Sequence, residues 1–224
     1  HLHDPAWINW SFNEMNWARD GSRLWFLSEG DGWSDLLAWS PGDDDHEPAS
    51  MPLVSGAFEV RDVTEHPTDG TLFFRSNRDD PSVWRLERFD PATGWSETIA
   101  GGDGMIEDYT LSPDGRRLAF TQSTLDRPAE LFVADLPTGD ALAPSPRRLT
   151  DSASDTFAAL DWQPATLVDI PGRHGRDLRG RLYLPPTDAQ TLADGRRPAV
   201  LFVHGAGYLQ NGHAGWSRYF REGF

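Results

Sequence analysis

Five consecutive residues carry the clearest chemical signal in the sequence: His204, Gly205, Ala206, Gly207 and Tyr208, which follow the apolar run at 198–203 without a break. A strand that ends on small residues lets the backbone approach a ligand closely and leaves N–H groups free to face it. Aimed at an oxygen that becomes negative in a transition state, such groups form an oxyanion hole, the device of acyl transfer. The side-chain donor, if one exists, is His204 or Tyr208; otherwise the backbone acts alone, with His204 tying down the loop.

Other residues of catalytic type are read as structural. Asp43, Asp44, Asp45, His46 and Glu47 are consecutive, without the alternate spacing of a calcium loop, and Pro41, Gly42 and Pro48 mark a solvated turn. Glu107 and Asp108 are neighbours, and neighbours in a strand face opposite ways, so they cannot flank one bond. His1 and His3 supply only two ligands at a chain start. Asn9-Trp10-Ser11 is a short triplet that arises by chance. Trp7, Trp10, Trp17, Trp25, Trp33 and Trp39 are of the type that packs sheets together, as well as the type that stacks on sugars or bases. No metal and no cofactor is expected.

Composition removes further classes. A formal charge of −15 opposes binding to nucleic acid or to an anionic membrane surface, since both need clustered cations. Every basic residue is Arg, so Schiff-base and P-loop lysine chemistry are excluded within the chain. Without cysteine there is no thiolate catalysis and no disulfide. No apolar run is long enough to span a bilayer. The compartment stays open between bacterial periplasm and cytoplasm, because the N-terminus is expected to be missing.

The elements that must position the 204–208 turn come from a repeat. Asp20-Gly21 precedes Leu24-Trp25-Phe26-Leu27, Asp69-Gly70 precedes Leu72-Phe73-Phe74, and Asp114-Gly115 precedes Leu118-Ala119-Phe120. Each has a second strand after a polar gap, near Leu36-Leu37-Ala38-Trp39, Val83-Trp84-Arg85-Leu86 and Glu130-Leu131-Phe132-Val133. A period of roughly 45 to 50 residues built from short strands marks propeller blades. The Asp-Gly pairs predict two-residue hairpins of type I′. About three blades cannot close a ring, so further blades are expected upstream of His1. The pattern stops near Asp161-Trp162-Gln163-Pro164. Strands are then expected at 166–170, at 180–184 and at 198–203, the last buried on both faces in a mixed or parallel sheet.

The likeness to a known family rests on particular residues. Residues 17–37, with Trp25-Phe26-Leu27-Ser28-Glu29 and Asp31-Gly32-Trp33, resemble a late blade of the dipeptidyl peptidase IV branch of the prolyl oligopeptidase family of serine peptidases. Gly56-Ala57-Phe58-Glu59-Val60 and Leu72-Phe73-Phe74-Arg75-Ser76-Asn77 resemble the blade after it. Residues 204–222, with Gly215-Trp216-Ser217 and Tyr219-Phe220-Arg221-Glu222, resemble the oxyanion loop of bacterial members. The resemblance implies a mainly β chain: a partial propeller over 1–163, then the first strands of an α/β-hydrolase domain over 164–224. It implies a serine exopeptidase acting on peptide substrates and releasing N-terminal dipeptides, with a homodimer possible for the intact protein. An acyl-ester or acylaminoacyl hydrolase of the same architecture, and a non-catalytic peptide-binding propeller, stay as alternatives. The family serine sits in Gly-x-Ser-x-Gly, absent here, so the resemblance places the Ser, Asp and His of the triad outside the chain. The glutamates that grip the substrate amine would lie upstream of His1, which gives neither Glu14 nor Glu29 that role. Dipeptidyl peptidase IV itself has a Tyr near the position of His204.

Overall fold

In a computed structural model of the chain, residues 13–42, 49–136, 145–163, 165–175, 177–186, 191–192, 194–203, 205 and 209–217 are described. Three antiparallel meanders of four strands follow one another. The first holds β1 (Met15–Trp17), β2 (Leu24–Ser28), β3 (Asp35–Ser40) and β4 (Ala49–Val54); the second β5 (Val60–Glu65), β6 (Leu72–Ser76), β7 (Arg85–Asp90) and β8 (Trp95–Ala100). The third holds β9 (Met105–Leu111), β10 (Arg117–Ser123), β11 (Glu130–Asp135) and β12 (Arg147–Arg148). One short helix, α1 (Asp155–Ala158), is capped by Ser154, whose side chain accepts from the Phe157 N–H. The chain is mainly β, with three propeller-like blades.

Side-chain alternation decides how the blades stack. In β6, Leu72 and Phe74 join Trp25, Leu27 and Val63 in one buried cluster, while Phe73 points the other way into a second with Ile106, Leu118 and Phe120. The middle sheet is therefore buried on both faces, and all five β6 residues are buried. Each large side chain removed from water there stabilises by about 1.5–3 kcal/mol. β2 and β10 bury alternate residues instead.

Backbone stitches repeat from blade to blade. The Val60 N–H bonds Ser34 O at 2.8 Å, and the Ile106 N–H bonds Trp84 O at 2.9 Å. Each ties the first strand of a blade to the residue just before the third strand of the blade preceding it. The Glu14 carboxylate adds two bonds across the first seam, accepting from the N–H groups of Asp62 at 2.6 Å and Val63 at 2.7 Å. On the second seam, His66 Nε2 lies 2.9 Å from Gly115 O.

The Asp-Gly turns differ from the two-residue form. Gly21, Gly70 and Gly115 have φ near +70 to +77°, yet Asp20, Asp69 and Asp114 are not among the residues with positive φ, which a type I′ turn would require. In the first and third blades the closing bonds, Ala18 N–H to Arg23 O and Ser112 N–H to Arg117 O, enclose four residues. The aspartate instead accepts from the N–H two residues on, at 2.9 Å from Ser22 and 3.1 Å from Arg116. Exposed hydroxyls also donate to these aspartates, and the Ser22 and Ser112 bonds hold the carboxyls of Asp20 and Asp114 below their usual range.

After the third blade, β13 (Thr166–Pro171) pairs with β14 (Asp177–Leu182) as a separate two-stranded hairpin. The run at 198–203 departs from expectation: it forms no strand, and Val200 and Val203 are 98% and 76% exposed. Burial on both faces needs paired neighbours and a covering layer on each side. β13 and β14 pair only with each other, and no described strand lies beside the run.

Candidate functional site

Of the turn singled out in the sequence, His204, Ala206, Gly207 and Tyr208 lie outside the described residues. Gly205 is exposed, and a Cβ placed on it would meet no atom within 4 Å. The stretch that follows, 209–217, is fastened to the blades. Gln210 receives the Trp84 indole N–H at 3.4 Å and donates to Pro81 O at 2.5 Å. The Ala214 N–H bonds Ser82 O at 2.8 Å, and the Trp216 N–H bonds Ser123 Oγ at 2.9 Å. Trp216 meets Phe157 and Trp162 edge-on, with ring centroids 5.7 and 5.3 Å away.

The hairpin holds the same stretch from the other side. Arg181 of β14 donates to the carbonyl of His213 at 2.9 Å from Nε and also reaches Gly215 O. His213 Nδ1 faces two donors, Arg181 at 3.0 Å and the Gly215 N–H at 3.2 Å, so it acts as an acceptor. Arg179, one turn of the pleat away, bridges Asp169 of β13 and Asp80 of the second blade, at 2.9 and 3.2 Å. Small residues are needed here: a Cβ on Gly212 would lie 2.5 Å from Arg179 O.

Trp84, the residue that Gln210 meets, belongs to a polar cluster that has no local signature in the sequence. A bulge breaks the β5–β6 register between Arg61 and Thr64, and Asp62 sits there at φ 56°, the non-glycine positive φ among the described residues. Glu14 fixes this backbone through the two N–H groups it binds. Burial holds the Glu14 carboxyl above its usual range, although those same N–H bonds pull it down. Arg75, buried behind the bulge, donates from Nε to Asp62 at 2.7 Å and from Nη1 to Ile106 O at 2.9 Å. Tyr109 turns its hydroxyl inward to Phe73 O at 2.8 Å, and burial raises its pKa. The bulge aims Arg61 across the Trp84 ring, its guanidinium carbon 3.9 Å from the centroid. Burial first, then the neighbouring Arg75, pushes Arg61 down to about 10, which leaves it charged at neutral pH.

Two of the remaining sequence candidates lie between Ile106 and Tyr109 of this cluster. Glu107 and Asp108 follow one another along β9. Trp25 is buried in the first core cluster, and Trp17 meets Trp39 edge-on at 6.4 Å. Residues 43–48, His1, His3, Asn9, Trp7 and Trp10 lie outside the described residues. Among the described residues, no group of three His, Cys, Asp or Glu could hold a metal, and no helix is long and apolar enough to cross a membrane. An open depression of about 670 Å³ at the β9–β10 turn is lined by Ser112, Asp114, Arg116 and Asp135. The Asp114 carboxylate there accepts from Ser112 and Arg116, and the Asp135 carboxylate pairs with Arg117 at 3.4 Å.

No family model and no curated protein matches the chain. Among solved structures it is similar to one described as dipeptidyl peptidase 4 of Porphyromonas gingivalis, with a TM-score of 0.62 and 18% identity. The match covers 76% of this chain and 23% of that one, so the chain spans less than a quarter of its neighbour's length. At this identity the likeness is one of fold, and it extends to most of the chain an architecture shared with a peptidase of that name.

Proposed function

We infer that this chain is part of a serine-type exopeptidase that hydrolyses peptide bonds through an acyl-enzyme and releases N-terminal dipeptides. One observation carries the reading: three consecutive blades, with a fold like that of a dipeptidyl peptidase, are followed by a hairpin and by the sequence His-Gly-Ala-Gly, whose following residues, 209–217, are pinned to the blades. In this reading residues 1–163 are the end of a propeller and 164–224 the start of a hydrolase domain. A serine, activated by a histidine that an aspartate orients, attacks the peptide carbonyl; the oxygen gains charge and is received by N–H groups of the 204–208 turn. The intermediate expels the amine as the histidine returns the proton, and water then frees the dipeptide from the serine.

The test compares two proteins on a dipeptidyl p-nitroanilide: the 224-residue chain, and the protein translated from the same reading frame continued past Phe224. Release of p-nitroaniline is expected from the continued protein alone. Turnover by the 224-residue chain would sink the reading, since it has no Gly-x-Ser-x-Gly nucleophile. If the continued protein cleaves acyl esters or acylated amino acids and spares peptides with a free amine, the exopeptidase assignment gives way to that of an acyl hydrolase.

A further inference from the structure

The geometry points to a second recognition element: Arg61, held over the Trp84 ring that bonds Gln210, is a carboxylate-binding subsite for the substrate peptide. The inference rests on reading 204–208 as the reacting end, since Gln210 lies two residues past Tyr208 and bonds the Trp84 indole at 3.4 Å.

The two arginines of the cluster differ in what remains free. Arg75 is consumed, giving Asp62 and Ile106 O its hydrogen bonds with a side chain only 8% exposed. Arg61 touches Asp62 through Nε alone, at 3.3 Å, and its side chain is 31% exposed. Among the described residues its two Nη groups have neither a hydrogen-bond nor an ion-pair partner. A guanidinium whose carbon sits 3.9 Å from an indole centroid and whose terminal nitrogens have no protein partner among the described residues presents the fork that a carboxylate fits with two parallel bonds.

The supports hold that fork in place. The bulge with Asp62 at φ 56° turns Arg61 toward Trp84, and Glu14 and Arg75 brace the bulge from either side. Asp62, the nearest carboxylate, is bound by Arg75 through Nε and Nη2, which leaves Arg61 the weaker claim on it. In a chain of net charge −15, a cation on the ring that bonds Gln210, two residues past Tyr208 in the sequence, is suited to an anionic group of the substrate. Two groups of a short peptide offer that chemistry, its α-carboxylate and an acidic side chain.

The experiment is calorimetric titration of the intact protein with three peptides acetylated at the amine, so that no N-terminal dipeptide is released: acetyl-Ala-Ala-Ala as free acid, the same peptide as amide, and acetyl-Ala-Glu-Ala amide. A bidentate charge-assisted pair predicts that one carboxylate peptide binds about tenfold more tightly than the neutral amide, or better. The tighter of the two names the source of the carboxylate. Arg61→Leu is expected to erase the preference, and Arg61→Lys, which keeps the charge and loses the fork, to keep about a third of it. Equal binding of all three peptides by the wild type, or a preference that survives in Arg61→Leu, overturns the subsite. If Arg61→Leu loses its circular dichroism spectrum, Arg61→Gln takes its place in the same comparison. A protein that shows the preference but cleaves no dipeptidyl p-nitroanilide would keep the subsite and lose the peptidase reading; cleavage without the preference does the reverse.

Discussion

Replacing Arg75 with Met tests whether the second and third blades are locked through the bulge. The substitution keeps the length of the stem and removes the bonds to Asp62 and to Ile106 O. Breaking a fully buried ion pair costs about 3–5 kcal/mol. Asp62 is 43% exposed and can turn to water, so its share is small. The Ile106 carbonyl is in the core and cannot, which brings the expected loss to about 2–3 kcal/mol. For a chain of this length each kcal/mol moves the melting temperature by about 2–4 °C, so a fall of about 4–12 °C is expected by circular dichroism. Asp62→Asn is the partner variant, because Asn tolerates positive φ and the bulge survives while the charge is lost. The double variant should be less destabilised than the sum of the singles by about 1 kcal/mol. A melting temperature within one degree of wild type, or strict additivity, would refute the account.

Gly212→Ala forces a Cβ against the Arg179 carbonyl and should lower the melting temperature by several degrees and raise amide exchange across 209–217, whereas Gly205→Ala, which meets nothing, should change neither. Matching behaviour of the two variants would show that 209–217 is not seated against the hairpin. Glu14 has a folded pKa above its ordinary 4.5, so the folded state holds more protons and wild-type stability rises as pH falls through the raised value, the gain ending near 4.5. Glu14→Gln lacks that gain, and melting curves from pH 7 to pH 4 should show wild type gaining on the variant as acid is added; parallel curves would contradict it. Tyr109→Phe removes the donor to Phe73 O and should cost about 1 kcal/mol, read as a shift of about 2–4 °C.

The blades were legible because their inner positions obey two local rules together, a turn residue pair and an apolar strand behind it. Leu24-Trp25-Phe26-Leu27, Leu72-Phe73-Phe74 and Leu118-Ala119-Phe120 all fall in second strands. Fourth strands were faint: β4 carries Pro52 and four exposed residues in a row, and β12 is two exposed arginines. Asp-Gly announced a turn but not its length, since Gly serves a four-residue loop as well as a two-residue one. The 198–203 run shows the limit of reading burial from composition, because a sequence states what a strand could bury and not whether neighbours are there to cover it. The Arg61 platform had no local signature at all. It needs a bulge, which is a mismatch between two strands, and a bond from Trp84 to Gln210 that spans 126 positions.

The doubly covered middle sheet sets how the array comes apart. In a linear stack, stability is a sum of unit terms and nearest-neighbour terms, as in a one-dimensional Ising chain. The second blade owns both couplings, with Phe74 facing one neighbour and Phe73 the other. Damage at Phe73 or Phe74 should therefore loosen two boundaries at once, and the amides of β6, all of whose residues are buried, should trade their hydrogens for deuterium more slowly than those of the exposed β1 and β12.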